Sequence, residues 1–236
     1  MQKKIAISQS NYIPWKGYFD LINMVDEFIL YDDVQFTRRD WRNRNQIKTQ
    51  AGLQWLTIPV EVKGKFHQTI NQTLVSDRSW TRQHWRALEL NYARATFFEE
   101  YRDRIKALYA DCQMARLSEI NHHFLTGLNA CLGISTSLRC SSEYILEGDR
   151  SERLLNLCRQ TGATAYYSGP AARTYLDQAL FARAGIAVVW MDYTGYPTYR
   201  QLHGAFEHAV SVLDLLFNEG SAARDFMKSF RPSCPR

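Results

Sequence analysis

Lys4-Ile5-Ala6-Ile7-Ser8, followed by the polar and aromatic run Gln9 to Lys16, then Gly17-Tyr18-Phe19-Asp20-Leu21-Ile22-Asn23-Met24-Val25, then Glu27-Phe28-Ile29-Leu30-Tyr31 and Asp32-Asp33, is the stretch whose reading decides the fold. Residues 4–8 read as a short strand, and Ser10-Asn11-Tyr12-Ile13-Pro14 ends it with turn residues. Tyr18, Leu21, Ile22 and Val25 then share one helical face, and residues 27–31 form a second apolar strand. Strand, loop, helix and strand in so short a span make a βαβ unit, which implies a parallel pair and a right-handed crossover. In such sheets ligands sit at the carboxyl ends of the strands. Gln9 to Lys16 and Asp32 to Gln35 are therefore expected to meet at one edge.

The same rhythm returns near the end of the chain. Asp149-Arg150-Ser151-Glu152 has capping-box spacing and opens a helix through Leu154, Leu155 and Cys158 that should end at Gly162. A strand over 164–167, a turn at Ser168-Gly169-Pro170, a short helix over 175–184 and a strand over 186–191 follow. Between the two halves, residues 80–92, 97–109 and 117–132 carry helical apolar stripes, with Ser79 as the expected N-cap. Residues 55–62 are β-rich, and Pro59 assigns them to an edge or strand end. The expected class is α/β, a parallel-sheet core with a mostly helical middle segment. One domain is expected over 1–236: a first βαβ half at 1–62, a helical insert or lid at 63–147 and a second α/β half at 148–236.

The bulk composition narrows the function. Of 236 residues, 45% are hydrophobic and 22% charged, as in ordinary globular chains, which leaves disorder without support. The run Ile5-Ala6-Ile7 is too short for a secretory h-region, and residues 186–191 cannot cross a bilayer. A cytoplasmic protein with no membrane span is expected. The 5 cysteines, Cys112, Cys131, Cys140, Cys158 and Cys234, form no C-x-x-C pair. That argues against a zinc ribbon or disulfide framework, and Cys112, Cys131 and Cys158 read as buried structural thiols. No spacing makes a metal site.

The net charge of +5 is uneven: Arg38, Arg39, Arg42, Arg44 and Lys48 face only Asp40 locally. That excess suits phosphate or carboxylate recognition better than a long polyanion, so no nucleic-acid partner is expected. Four constellations are candidates for chemistry. The β-α loop Gln9, Asn11, Tyr12, Trp15 and Lys16 can offer backbone N–H groups and a cation to an anion, or can simply be an aromatic-rich turn. Asp32 and Asp33, with Gln35, can position a metal or an amine or act as a base; one of the pair can equally cap a turn. Arg38, Arg42, Arg44 and Lys48 suit phosphate, and Asn43 and Asn45 suit sugar hydroxyls, although a charge run is often a solvated face. Ser168, Gly169, Arg173 and Tyr175 form a second strand-turn-helix start. Among the histidines, His67 and His203 lie in polar surroundings, whereas His84, His122, His123 and His208 read as helix-face residues.

Several of these stretches together resemble the WbqC-like family of bacterial surface-polysaccharide clusters. They are Ile7-Ser8-Gln9, residues 12–19, Asp32-Asp33-Val34-Gln35, Arg42-Asn43-Arg44-Asn45, residues 55–60, Ser168-Gly169-Pro170-Ala171, Tyr175 and residues 211–218. The resemblance implies work in O-antigen or lipopolysaccharide biosynthesis on a nucleotide-linked amino sugar, by acylation or aminoacylation of its amine with a small acyl or amino-acid donor. The βαβ reading is also similar to the Rossmann-like, HUP-type nucleotide-binding fold of adenylyl-transferring enzymes and of pantothenate synthetase. It departs from them in lacking their paired histidines after the first strand, where Asn11 to Gly17 stand instead.

The expected activity is thus an amide-forming N-acyltransferase or ligase, using ATP with Mg²⁺ or a ready-made acyl-CoA. Asp32, Asp33 or His67 would take the amine proton. Lys16 and the arginines would hold phosphates, and Gln9 and Asn11 would orient the donor. A non-catalytic sugar-nucleotide or glycan-binding protein, with Tyr12, Trp15, Trp41 and Tyr175 stacked on sugar rings, is the alternative, and a nucleotidylyltransferase-like enzyme is a further one.

Overall fold

A computed structural model describes residues 2–231, so Cys234 lies outside the described residues. Strand β1 is Lys4–Ser8, helix α1 Lys16–Asn23 and strand β2 Glu27–Leu30. β1 and β2 pair in parallel, as the opening stretch requires. An antiparallel hairpin, β3 (Arg44–Thr49) with β4 (Gly52–Thr57), then forms a separate two-stranded sheet. Two points of the sequence reading need correcting here. The strand expected over 55–62 begins earlier and stops before Pro59, and the second half of the basic stretch is itself a strand. Its polar residues hid a β3 whose burial comes from partners elsewhere in the fold.

Helices α2 (Trp80–Tyr92), α3 (Phe98–Ala110) and α4 (Leu117–Leu132) follow, close to their expected bounds. Ser79 occupies the N-cap position of α2, but its hydroxyl donates to Asp77 instead of accepting from the helix. Strand β5 (Ser137–Cys140) had no sequence signal, being four residues with a charge inside it. Helix α5 (Arg150–Gln160) starts at Asp149, whose carboxylate accepts from Ser151 N and Glu152 N, while Glu152 reaches back to Asp149 N. That is the expected capping box, and Gly162 ends the segment at φ 69°. β6 (Ala165–Ser168), a 3₁₀ turn at Pro170–Thr174, α6 (Gln178–Arg183) and β7 (Ala187–Trp190) complete the second half. The helix expected over 175–184 is shorter because Asp177 caps it late. After β7 an irregular segment leads to α7 (Val212–Glu219).

The main sheet has five strands in the order β5-β2-β1-β6-β7, all paired in parallel. It is buried on both faces, as parallel sheets are. Along β1 and β2 the side chains alternate between two cores. Ala6, Phe28 and Leu30 join the large core under α1, α2, α3, α4 and α7. Ile5, Ile7 and Ile29 join a smaller one under α5 and α6. From β1 the chain builds outward through β2 to β5, then crosses back to β6 on the other side of β1. Such a reversal leaves a crevice beyond the carboxyl ends of the two central strands, where open α/β sheets bind ligands. Among the described residues no helix is long and apolar enough to cross a membrane.

Candidate functional site

A cavity of about 770 Å³ lies at that reversal. Ile7, Ser8 and Gln9 leave β1 into it, Tyr31 leaves β2, and Tyr166, Ser168 and Gly169 leave β6. Gln35, Thr37 and Arg42 line one part of the rim, and the first turn of α5 lines another with Asp149, Arg150 and Arg153, the Arg150 guanidinium lying 4.4 Å over the Tyr175 ring. The volume falls within the ~300–1,000 Å³ of ordinary ligand sites.

The loops after β1 and β2 are tied together at the base of the crevice. Tyr31 N donates to Ser8 O at 2.9 Å, and Ser10 N donates to Asp32 Oδ1 at 2.8 Å. Burial pushes the Asp32 carboxyl up to about 6, although its bonds from Ser10 and the nearby Arg42 favour the charged form. Above the loops, Tyr12 N donates to Trp41 O at 3.1 Å. Asn121 on α4 donates from one amide nitrogen to both Ser10 Oγ and Arg42 O, each at 2.9 Å. Arg42 is thereby held over the crevice, and its guanidinium donates to Asn11 Oδ1 and lies 3.8 Å from Asp40. Ile13, β-branched and before Pro14, is held at φ 37° in this loop. That costs about 1–3 kcal/mol, offset by its complete burial and by the bonds on either side of it.

The structure brings together Gln9, Gln35, Arg42, Ser168, Gly169 and Tyr175 of the sequence candidates. It places Asn11, Trp15 and Asn45 around a neighbouring pocket of about 240 Å³, shared with Pro14, Trp41, His208 and Ala209. The remaining candidates point elsewhere. Tyr12 is fully buried, its hydroxyl bonded to His84 Nδ1 and the Tyr109 hydroxyl. Lys16 donates to Pro197 O at 2.9 Å among the rings of Tyr196, Tyr199 and Phe206, and burial brings its ammonium down to about 8.

Lys48 is buried too and donates to Gln201 Oε1 at 2.7 Å. Gln201 in turn reaches Asp214, which also accepts from the hydroxyls of Tyr92 and Tyr199. Asn43 donates to Ile58 O, Arg38 donates to Val62 O beside Phe66, and Arg44 lies 4.0 Å over Trp55. Arg173 packs 5.4 Å over Trp190.

None of the three proton-acceptor candidates lines the crevice. Asp32 lies buried beneath the loops, and His67 is exposed on a turn. Asp33 accepts from Asn71 Nδ2 and Ser141 Oγ and lines a separate small pocket with Thr69 and Arg116. Sequence reading missed Arg150, named there only as part of the capping-box run, and Arg153, which it did not single out. The available signal was their i, i+3 spacing in the first turn of a helix that follows a sheet strand. It also missed Asn121, for which no signal existed, and His208, which lies on the irregular segment before α7 and not on a helix. Cys112, Cys131, Cys140 and Cys158 are free, and burial raises the thiols of Cys112 and Cys158 to about 11 and about 12, as expected of structural residues.

An open parallel sheet with Arg42, Arg150 and Arg153 on the lining of the crevice at its strand reversal defines an α/β protein with a cationic rim at the ligand-binding edge of its fold. The model of the WbqC-like protein family matches residues 9–226, and the chain belongs to that family. It is also similar to the Uncharacterized protein Rv1507c of Mycobacterium tuberculosis, with 55% identity over 229 residues covering 97% of this chain and 99% of the relative. No solved structure matches it.

Proposed function

We propose that the crevice binds the phosphates of a nucleotide-linked amino sugar and that the protein acylates or aminoacylates the sugar's amine. What carries the reading is the convergence of Arg42, Arg150 and Arg153 on the crevice at the carboxyl ends of β1, β2 and β6. Guanidinium groups pair with phosphate through two parallel N–H donors. The helix dipole of α5 adds little, because the Asp149 carboxylate already takes the first free N–H groups. Ser168, Gly169, Ala171 and Ala172 leave one wall low enough for a flat group to lie against backbone. Gln9 and Gln35 supply amide groups able to orient a donor carbonyl.

ATP, when bound, would supply acyl activation, and acyl-CoA would bring it ready-made; the three arginines suit the phosphates of either. Among the described residues no three His, Cys, Asp or Glu side chains gather as a metal site. A Mg²⁺ ion accompanying ATP would thus be held by the nucleotide's own phosphates and water, as Mg²⁺ commonly is.

One observation favours the second reading, a sugar-nucleotide-binding protein without catalysis. Asp149 is the carboxylate on the crevice lining, and it is committed to the α5 cap. The experiment that separates the two incubates the protein with an amino-sugar nucleotide, ATP and glycine, or with acetyl-CoA, and follows sugar mass and nucleotide products. A heavier sugar supports the enzyme. Unchanged sugar with tight binding supports the second reading, and absence of nucleotide binding sinks both.

A further inference from the structure

The pocket beside the crevice is lined by Asn11, Pro14, Trp15, Trp41, Asn45, His208 and Ala209. We infer that it is a saccharide subsite, in which Trp15 and Trp41 take the C–H face of one sugar ring while Asn11 and His208 meet its polar edge. This deepens the proposed function by giving the sugar of the nucleotide-linked ligand its own place, and it rests on that reading only for the nucleotide.

Four observations carry it. First, the size fits: about 240 Å³ lies just under the ~300–1,000 Å³ of sites for drug-sized ligands, room for one ring. Second, the lining has two characters at once. Two indoles and Pro14 form an apolar surface, and two amides and an imidazole border it. A pyranose has the same division, one face of C–H groups and an edge of hydroxyl or amine groups.

Third, the indoles are held in place. Trp15 packs edge-on against Tyr193 at 5.3 Å and Tyr196 at 5.4 Å, and Trp41 lies 5.3 Å from Trp55. Gly17 is the residue that lets Trp15 lie close to α1: a Cβ there would come within 2.3 Å of the indole. Fourth, the pocket is joined to the arginine crevice through one contact. Arg42 lines the crevice and donates to Asn11 Oδ1, so what Asn11 offers a ligand is its amide nitrogen. His208, packed on Phe206 at 4.5 Å, has its pKa lowered by burial and by the Lys16 cation, with Glu207 opposing, so it stays neutral near pH 7 and can accept as well as donate. Asn45 serves the frame, since its amide is already engaged with Tyr12 O and Gln46 N.

The test is saturation-transfer NMR with methyl glycosides of gluco-, galacto- and manno-configured amino sugars, alongside calorimetric titration with UDP. Ring C–H protons of at least one glycoside should be saturated in the wild type. Trp41→Ala and Gly17→Ala should each raise that glycoside's Kd about tenfold or more, while leaving UDP affinity within about twofold. Gly17→Ala keeps all six tryptophans and displaces the Trp15 indole, whereas Trp41 is 39% exposed and its truncation leaves the core intact, so Trp41→Ala reads the subsite if Gly17→Ala does not fold.

No saturation by any glycoside would overturn the assignment. So would saturation that persists unchanged in both variants. Glycoside binding with no UDP binding would leave the subsite standing and count against the nucleotide in the proposed function.

Discussion

The basic stretch from Arg38 to Lys48 and the first turn of α5 look unequal in sequence, five cations against two, and the structure reverses their weight. Of the first set only Arg42 reaches the crevice, whereas Arg150 and Arg153 both do. Arg38, Arg44 and Lys48 are turned to a carbonyl, an indole and a buried amide network. The difference is geometric. An irregular loop running into a β-strand sends successive side chains in different directions, whereas residues three apart on a helix share a face. Charge density along a chain is therefore a poor guide to charge density in space.

The strongest way to sharpen this comparison is to remove the cation that least resembles a ligand. Lys48→Ala strips the partner from a buried network ending in Asp214, whose carboxyl is itself raised by burial. It should cost about 3–5 kcal/mol of stability, a fall of roughly 10 °C in Tm by calorimetry, with ligand affinity of the surviving folded protein retained. Loss of binding at unchanged Tm would return Lys48 to the site.

His84 tests the anchoring of the loop that Arg42 covers. Burial holds its imidazole at about 4 against an ordinary 6.5, with the ring bonded to Tyr12. As pH falls between those values the unfolded chain binds a proton that the native state refuses. Stability on the order of 2–3 kcal/mol should drain away from pH 6.5 down to about 4. Asp32 and Asp214, both raised by burial, act with the opposite sign in the same window, so the readout is the difference: wild-type Tm should lose more across it than Tm of His84→Gln.

Arg42→Ala and Arg153→Ala should each weaken an anionic nucleotide by about 1.5–3 kcal/mol, read by calorimetry, and flatten the salt dependence of its binding. Arg38→Ala, an exposed side chain held by Val62 O, should change affinity by less than about twofold. Equal losses at Arg38 and Arg42 would break the comparison.

How much of this could be read from residues alone follows from the range of the forces involved. Periodicity is local, so β1, α1, β2, the three middle helices and the α5 capping box were legible, and with them the parallel α/β class and the edge where the loops meet. Asp32 and Gln9 both lie at that edge, Gln9 on the crevice lining and Asp32 bonded to Ser10 N beneath it. Their orientation was not available, because adjacent strand residues point to opposite sides and only packing selects which side faces ligand. β5, four residues long, is a strand because β2 lies beside it, and nothing in its own composition requires that. Asn121 and His208 reach the site from positions some 80 or more residues distant in the chain, as the bond between Asn121 and Arg42 across 79 residues illustrates.

The chain by itself therefore determined its family, its sheet type and the end of the sheet where the crevice opens, since hydrophobic period and turn chemistry act over a few residues. Tertiary structure alone decided which cations converge, which carboxylates are spent on holding loops, and that a tryptophan-walled pocket adjoins the arginines. Those outcomes depend on where distant segments pack, and a side chain's direction is settled only when its neighbours are in place.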